Sequence, residues 1–161
     1  MASFRLRSDA EQWFSEIEGS AHIRSKFDLY YFCLMAGFAS GRSSETQLTG
    51  AGSKEFIDYF IDDYKPANRL LIGLLVIAEM NYKGIDVTEK AAVRALFKTL
   101  VDANNGNNNL TDEGMRRINA YASGGFEYLS EKRDTKPYSL EEFLRDYVAL
   151  VGEPLSQPDS P

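Results

Sequence analysis

Three acidic side chains are the first groups whose spacing suggests chemistry. Glu55, Asp58 and Asp62 stand at i, i+3 and i+7 in KEFIDYFIDDY, with Asp63 beside the last. On a helix that spacing gathers them on one face, and such a stripe supplies the hard oxygen ligands that magnesium or manganese takes. A solvated acidic face has the same spacing and is the preferred reading. A metal site on Glu55, Asp58 and Asp62 is therefore the lesser expectation, and no cofactor is expected.

DANNGNNNLTDEG, from Asp102, raises a calcium loop as a second possibility. An EF-hand needs oxygen ligands at loop positions 1, 3, 5 and 12, with glycine at 6 and an apolar residue at 8. Counting from Asp102, Asn104 and Glu113 fit, but Gly106 falls on 5 and Asn109 on 8. Moving Gly106 to position 6 puts Val101 at 1, which offers no side-chain oxygen. A turn between two helices explains more of the residues. Asn and Gly tolerate left-handed backbone, and Thr111 is placed to N-cap the next helix. Asp112 and Glu113 then sit in its first turn, where the helix dipole favours negative charge. Leu110 and Met115 occupy the positions of a hydrophobic staple.

Nucleophilic chemistry has little material. His22 is the sole histidine and Cys33 the sole cysteine, so a histidine-based zinc site lacks partners and any catalytic triad has to use His22. The G-x-S-x-G, P-loop and Rossmann glycine patterns are absent. GAGSKE, residues 50–55, has small residues and a lysine ahead of an expected helix but lacks the strand and spacing of a phosphate loop. Cys33 lies in an apolar run and reads as a small core residue. Glu79 directly follows the apolar run LLIGLLVIA; a carboxylate there needs a partner, and Arg69 or Arg94 is the expected one. The protein is expected not to be an enzyme.

Binding is the better-supplied alternative. FDLYYFCLMAGF and EFIDYFIDDY are dense in rings, and tyrosine suits interfaces because it joins an apolar body to a hydrogen-bonding tip. Tyr30, Tyr31, Tyr59 and Phe60, with Arg116 and Arg117 at the rim, are the expected partner-binding set. A local basic surface for nucleic acid is the alternative, drawn from Arg94, Lys98, Arg116, Arg117, Lys132 and Arg133.

These groups need helices to position them. Ser8 can N-cap DAEQWFSEIE, with Gly19 as its end. In HIRSKFDLYYFCLMAGFASGR, Phe27, Tyr30, Tyr31, Leu34, Met35 and Phe38 stand at helical spacing and predict a largely buried helix closed by Gly41. After the polar loop 41–52, Ser53 is read as the cap of a helix bearing Phe56, Ile57, Phe60 and Ile61. Pro66 opens the next helix, which ends at Gly84. DVTE offers a capping box to a helix whose inner face is Val93, Leu96, Phe97 and Leu100. In the helix after Thr111, Gly124-Gly125 allows a break, a kink or close approach of another backbone. Ser139 and Glu142 box the last helix, with Leu140, Phe143, Leu144, Tyr147, Val148 and Val151 inside. The prediction is an all-α, single-domain bundle of about six or seven helices over residues 1–151, then a disordered Pro-rich tail over 152–161.

Composition agrees with a globular chain. It has 161 residues, 43% hydrophobic and 26% charged, with ten Phe and nine Tyr, which suits one domain with a real core. The net charge of −6 gives no overall footprint for nucleic acid. The apolar run LLIGLLVIA is about half the roughly 20 residues that span a bilayer, and MASFRLRSDAEQWF lacks a signal-peptide core. A lone cysteine suits a reducing compartment. A cytoplasmic protein without membrane contact is expected.

FDLYYFCLMAGFASGR and INAYASGGFEYL resemble segments of small helical proteins encoded beside bacterial restriction or DNA-modification genes. The resemblance implies an accessory subunit of a bacterial multi-protein system, including DNA modification, restriction or defence, and assigns no residue a role. The leading expectation is thus an adaptor acting by protein association or self-association. The alternatives are a nucleic-acid-associated subunit and a carboxylate-metal enzyme.

Overall fold

The computed structural model of the protein describes residues 2–156. Among these, seven α-helices dominate, joined by a small two-stranded sheet: β1 Phe4–Arg7, α1 Ser8–Trp13, α2 Ser15–Glu18, α3 Lys26–Ser40, β2 Ser53–Ile57, α4 Asn68–Lys83, α5 Lys90–Leu100, α6 Asp112–Lys132 and α7 Leu140–Ser156. Helical class is therefore right, but the fold is not all-α. The expected helix from Ser53 is replaced by β2. Phe56, Ile57, Phe60 and Ile61 have helical spacing, yet short apolar runs rich in rings and β-branched residues suit strands equally well. In β1, Phe4, Leu6 and Arg7 are buried and Arg5 is half-buried.

The chain forms two compact units. One joins the segment ending at Arg5 to Glu55–Asn119; the other joins Leu6–Lys54 to the chain from Ala120 onward. The division falls within β1, β2 and α6.

In the second unit, α3 and α6 touch backbone to backbone. A Cβ on Gly125 would overlap the Cys33 carbonyl oxygen and lie 2.5 Å from the Gly37 nitrogen. A Cβ on Gly37 would likewise overlap the Tyr121 carbonyl. Of the three roles open to Gly124-Gly125, close approach is the one adopted: α6 runs unbroken through both residues. Rings fill the space around this contact. Phe143 is fully buried, edge-on to Phe14 at 5.5 Å, Phe32 at 5.3 Å and Trp13 at 6.0 Å between centroids. Such geometry favours ring edges meeting ring faces. At the start of α3 the Asp28 carboxylate accepts from the amides of Arg24 at 2.8 Å and Ser25 at 3.3 Å, and Gly41 ends the helix at φ 72°. At α1, Arg7 rather than Ser8 holds the N-cap position, and the Ser8 hydroxyl donates to the Ala51 carbonyl at 2.9 Å.

α7 extends to Ser156 with Pro154 inside it. Residues 152–156 are thus helical rather than a disordered tail; 157–161 lie outside the described residues. A proline removes the hydrogen bond to the carbonyl four residues earlier, here that of Leu150. The Tyr128 hydroxyl donates to this carbonyl at 2.6 Å. The inner face of α7 is Phe143, Tyr147, Leu150 and Val151, whereas Leu144 and Val148 are exposed.

The first unit packs α4 against α5. Phe4 and Phe60 meet edge to face at 5.2 Å and are both buried.

Candidate partner-binding face

α4 is bounded by local chemistry. Pro66 sits in a short 3-10 turn, Lys65–Ala67, that leads into it. At its end Gly84 takes φ 69°. The Gly84 and Ile85 amides donate to the carbonyls of Asn81 (3.3 Å) and Met80 (2.8 Å), the paired bonds of a Schellman cap. Ahead of α5, the Asp86 carboxylate accepts from the Thr88 amide at 2.8 Å, and Glu89 accepts from the Asp86 amide at 3.1 Å.

Glu79 is buried, as its position after the apolar run suggested, but its partner is Arg117. The guanidinium donates twice, Nε to Oε1 at 2.7 Å and Nη2 to Oε2 at 3.1 Å. Its carbon also lies 5.0 Å from the Tyr82 ring centroid, a cation–π contact. Two forked charge-assisted bonds meet the need of a buried carboxylate. Arg117 is thereby removed from both binding sets in which it was expected.

The asparagine stretch is a built turn. Val101 and Leu110 pair as an antiparallel bridge. The Asn105 side chain donates to the Asn108 side chain and to the Leu110 carbonyl, each at 3.0 Å. Buried Asn108 donates to the Asp58 carbonyl at 2.6 Å and accepts from the Leu110 amide at 2.9 Å. Asn109 adopts φ 60°, a backbone that asparagine tolerates. Thr111 accepts from the Gly114 amide at 2.9 Å, the N-cap bond expected of it. The amides thus serve the turn.

This turn, α4 and α5 enclose an open groove of about 440 Å³, lined by Arg69, Ile72, Gly73, Phe97, Val101, Ala103 and Asn109. Phe97, expected in the core, is 49% exposed; on α4 Leu70 is 61% and Ile77 54% exposed. Leu70, Gly73, Leu74 and Ile77 follow at i, i+3, i+4 and i+7, one continuous helical stripe. The exposed charges on α4 and α5 are all basic: Arg69, Lys83, Lys90, Arg94 and Lys98. Lys83 also lowers the Glu113 carboxyl pKa, though the main cause there is the hydrogen bond from Arg116.

The other expected site residues are scattered. Tyr30 and Phe60 are buried and unable to meet a partner on the surface of this fold. Tyr31 is half-buried, Tyr59 is exposed, and Arg116 is exposed but paired with Glu113. Arg94 and Lys98 belong to the first unit, Lys132 and Arg133 to the second. There Lys132 pairs with Glu153 at 3.4 Å, and Arg133 with Asp146 and, at 3.8 Å, with Glu142.

The carboxylate stripe does not form, because residues 53–57 are a strand. Glu55 pairs with Arg5 at 3.1 Å, Asp58 accepts from the Asn107 side chain at 3.3 Å, and Asp62 pairs with Lys65 at 3.2 Å. Among the described residues no group of three or more His, Cys, Asp or Glu is placed to hold a metal ion. Cys33 is buried, and burial raises its thiol pKa strongly. His22 is exposed. Among the described residues no helix is long and apolar enough to cross a membrane.

No protein family, curated protein or solved structure matches the chain.

Proposed function

We propose that the protein is a non-enzymatic adaptor that associates with another protein through the α4–α5 face of its first unit. One observation carries this reading: exposed Leu70, Ile77 and Phe97 occur on the two helices that flank a 440 Å³ groove. Single exposed apolar residues are ordinary, but apolar side chains gathered around a concavity are a usual mark of an interaction site. The aromatic surface envisaged around Tyr30 and Phe60 gives way to this one, since both rings are in the core.

The test is a photo-crosslinking amino acid at position 97, with position 148 on α7 as a control, in cells that make the protein. The expected result is a discrete protein adduct at 97 that Leu70→Glu removes while the melting temperature holds. Equal labelling at 97 and 148, or no adduct at 97, refutes the reading.

A further inference from the structure

We propose that the occupant of the α4–α5 groove is an acidic amphipathic helix of a partner protein, an inference that rests on the association reading above. Shape and charge carry it independently. The groove volume lies within the ~300–1,000 Å³ typical of pockets that enclose a ligand group. Its floor is mostly apolar, from Ile72, Gly73, Phe97, Val101 and Ala103. A trough between two helices suits the apolar face of a third, which inserts anchors at i, i+3, i+4 and i+7. Gly73 helps, because the space where its Cβ would stand is open, so an incoming helix can come close.

Charge selects the kind of helix. The chain carries a net −6, yet the exposed charged residues of α4 and α5 are uniformly basic. The one acid on these helices, Glu79, is buried against Arg117. Arg69 lines the groove, and Arg94 lies one turn before Phe97 on the same line of α5. Anchors seated on Phe97 and Ile72 therefore have cations on their flanks, and carboxylates beside the anchors complement them. A second copy of this chain is disfavoured: a two-fold interface apposes the same patch to itself, bringing like charges together. A nucleic acid would use the cations but leave the aliphatic part of the floor without a role, since its bases need ring faces for stacking and Phe97 alone among the lining residues offers one.

The experiment offers the immobilised full-length protein a displayed library of helical peptides of varied charge and, in parallel, a random RNA pool. Gly73→Trp fills the trough from an open position, and its melting curve verifies folding. Arg69→Glu, Arg94→Glu and Lys98→Glu together reverse the rim. The expected peptides are amphipathic and net negative, are lost with Gly73→Trp, and bind the rim variant about tenfold more weakly, since each exposed ion pair is of modest strength. Neutral or basic peptides that Gly73→Trp still abolishes overturn the acidic partner and leave the association face standing. Peptides indifferent to Gly73→Trp, or none at all, overturn both. RNA retained in place of peptide, and lost on rim reversal, replaces the protein partner with a nucleic acid.

Discussion

Replacing Gly125 with alanine tests the backbone contact between α3 and α6. The added methyl would overlap the Cys33 carbonyl oxygen, with the Gly37 nitrogen at 2.5 Å and the Cys33 carbonyl carbon at 2.8 Å. These neighbours are backbone atoms, so relief requires one helix to shift rather than a side chain to rotate. Overpacking of this kind costs about 1–3 kcal/mol, partly offset by the roughly 0.5–1 kcal/mol that alanine gains over glycine within a helix. The upper part of the range applies, because no rotamer relieves the clash. Gly73→Ala is the control. Gly73 is also helical, but no atom lies within 4 Å of the added Cβ, so only the propensity gain remains. Thermal unfolding followed by circular dichroism reads both variants. At roughly 2–4 °C per kcal/mol for a chain of this size, Gly125→Ala is expected to melt several degrees below the wild-type protein and Gly73→Ala slightly above it. A Gly125→Ala variant that melts at or above the wild type refutes the close-packed contact.

Other substitutions probe the remaining devices. Glu79→Ala leaves Arg117 buried without its carboxylate and is expected to destabilise by about 3–5 kcal/mol; Glu79→Leu with Arg117→Met should lose far less in urea unfolding, and equal losses would count against the pair. Tyr128→Phe orphans the Leu150 carbonyl that Pro154 cannot serve, for an expected loss of about 1–2 kcal/mol, which Pro154→Ala should largely cancel in a double-mutant cycle. Asn109→Gly should be close to neutral, whereas Asn109→Val, at φ 60°, should cost about 1–2 kcal/mol by the same assay.

Burial raises the pKa of the Cys33 thiol from an ordinary value of 9.0 and those of the Tyr30 and Tyr147 hydroxyls from 10.0. Because the unfolded chain gives up these protons at a lower pH than the folded one, ionisation favours the unfolded state, so the folded state keeps its full stability below the ordinary values and loses it as pH rises through them. The urea midpoint should therefore fall between about pH 8 and 10.5, and Cys33 should resist a thiol reagent until the protein unfolds. A constant midpoint together with rapid labelling of the native protein would refute the burial.

Much of the fold was legible because it is set by neighbours in sequence. Gly41 and Gly84 end α3 and α4 as their backbone freedom suggests, Thr111 caps α6, and the asparagine stretch makes a turn, since each depends on a few consecutive residues. β2 was not legible: its two apolar residues, Phe56 and Ile57, are neighbours that Phe60 and Ile61 extend at helical spacing, and only pairing with β1 resolves the ambiguity. The extension of α7 through Pro154 was equally hidden, because its compensation comes from Tyr128, distant in sequence. The site shows the same division. The sequence by itself determined that Glu79 would need a counter-ion, that the chemistry-bearing residues were few, and that a ring-rich helical core would form. Tertiary structure alone decided that Arg117 would meet Glu79, that Tyr30 and Phe60 would be buried while Phe97 and Leu70 stayed outside, and that α4 and α5 would frame a groove. Burial and ion pairing are properties of surfaces meeting across the chain, and periodicity within one segment names an apolar face without naming what covers it.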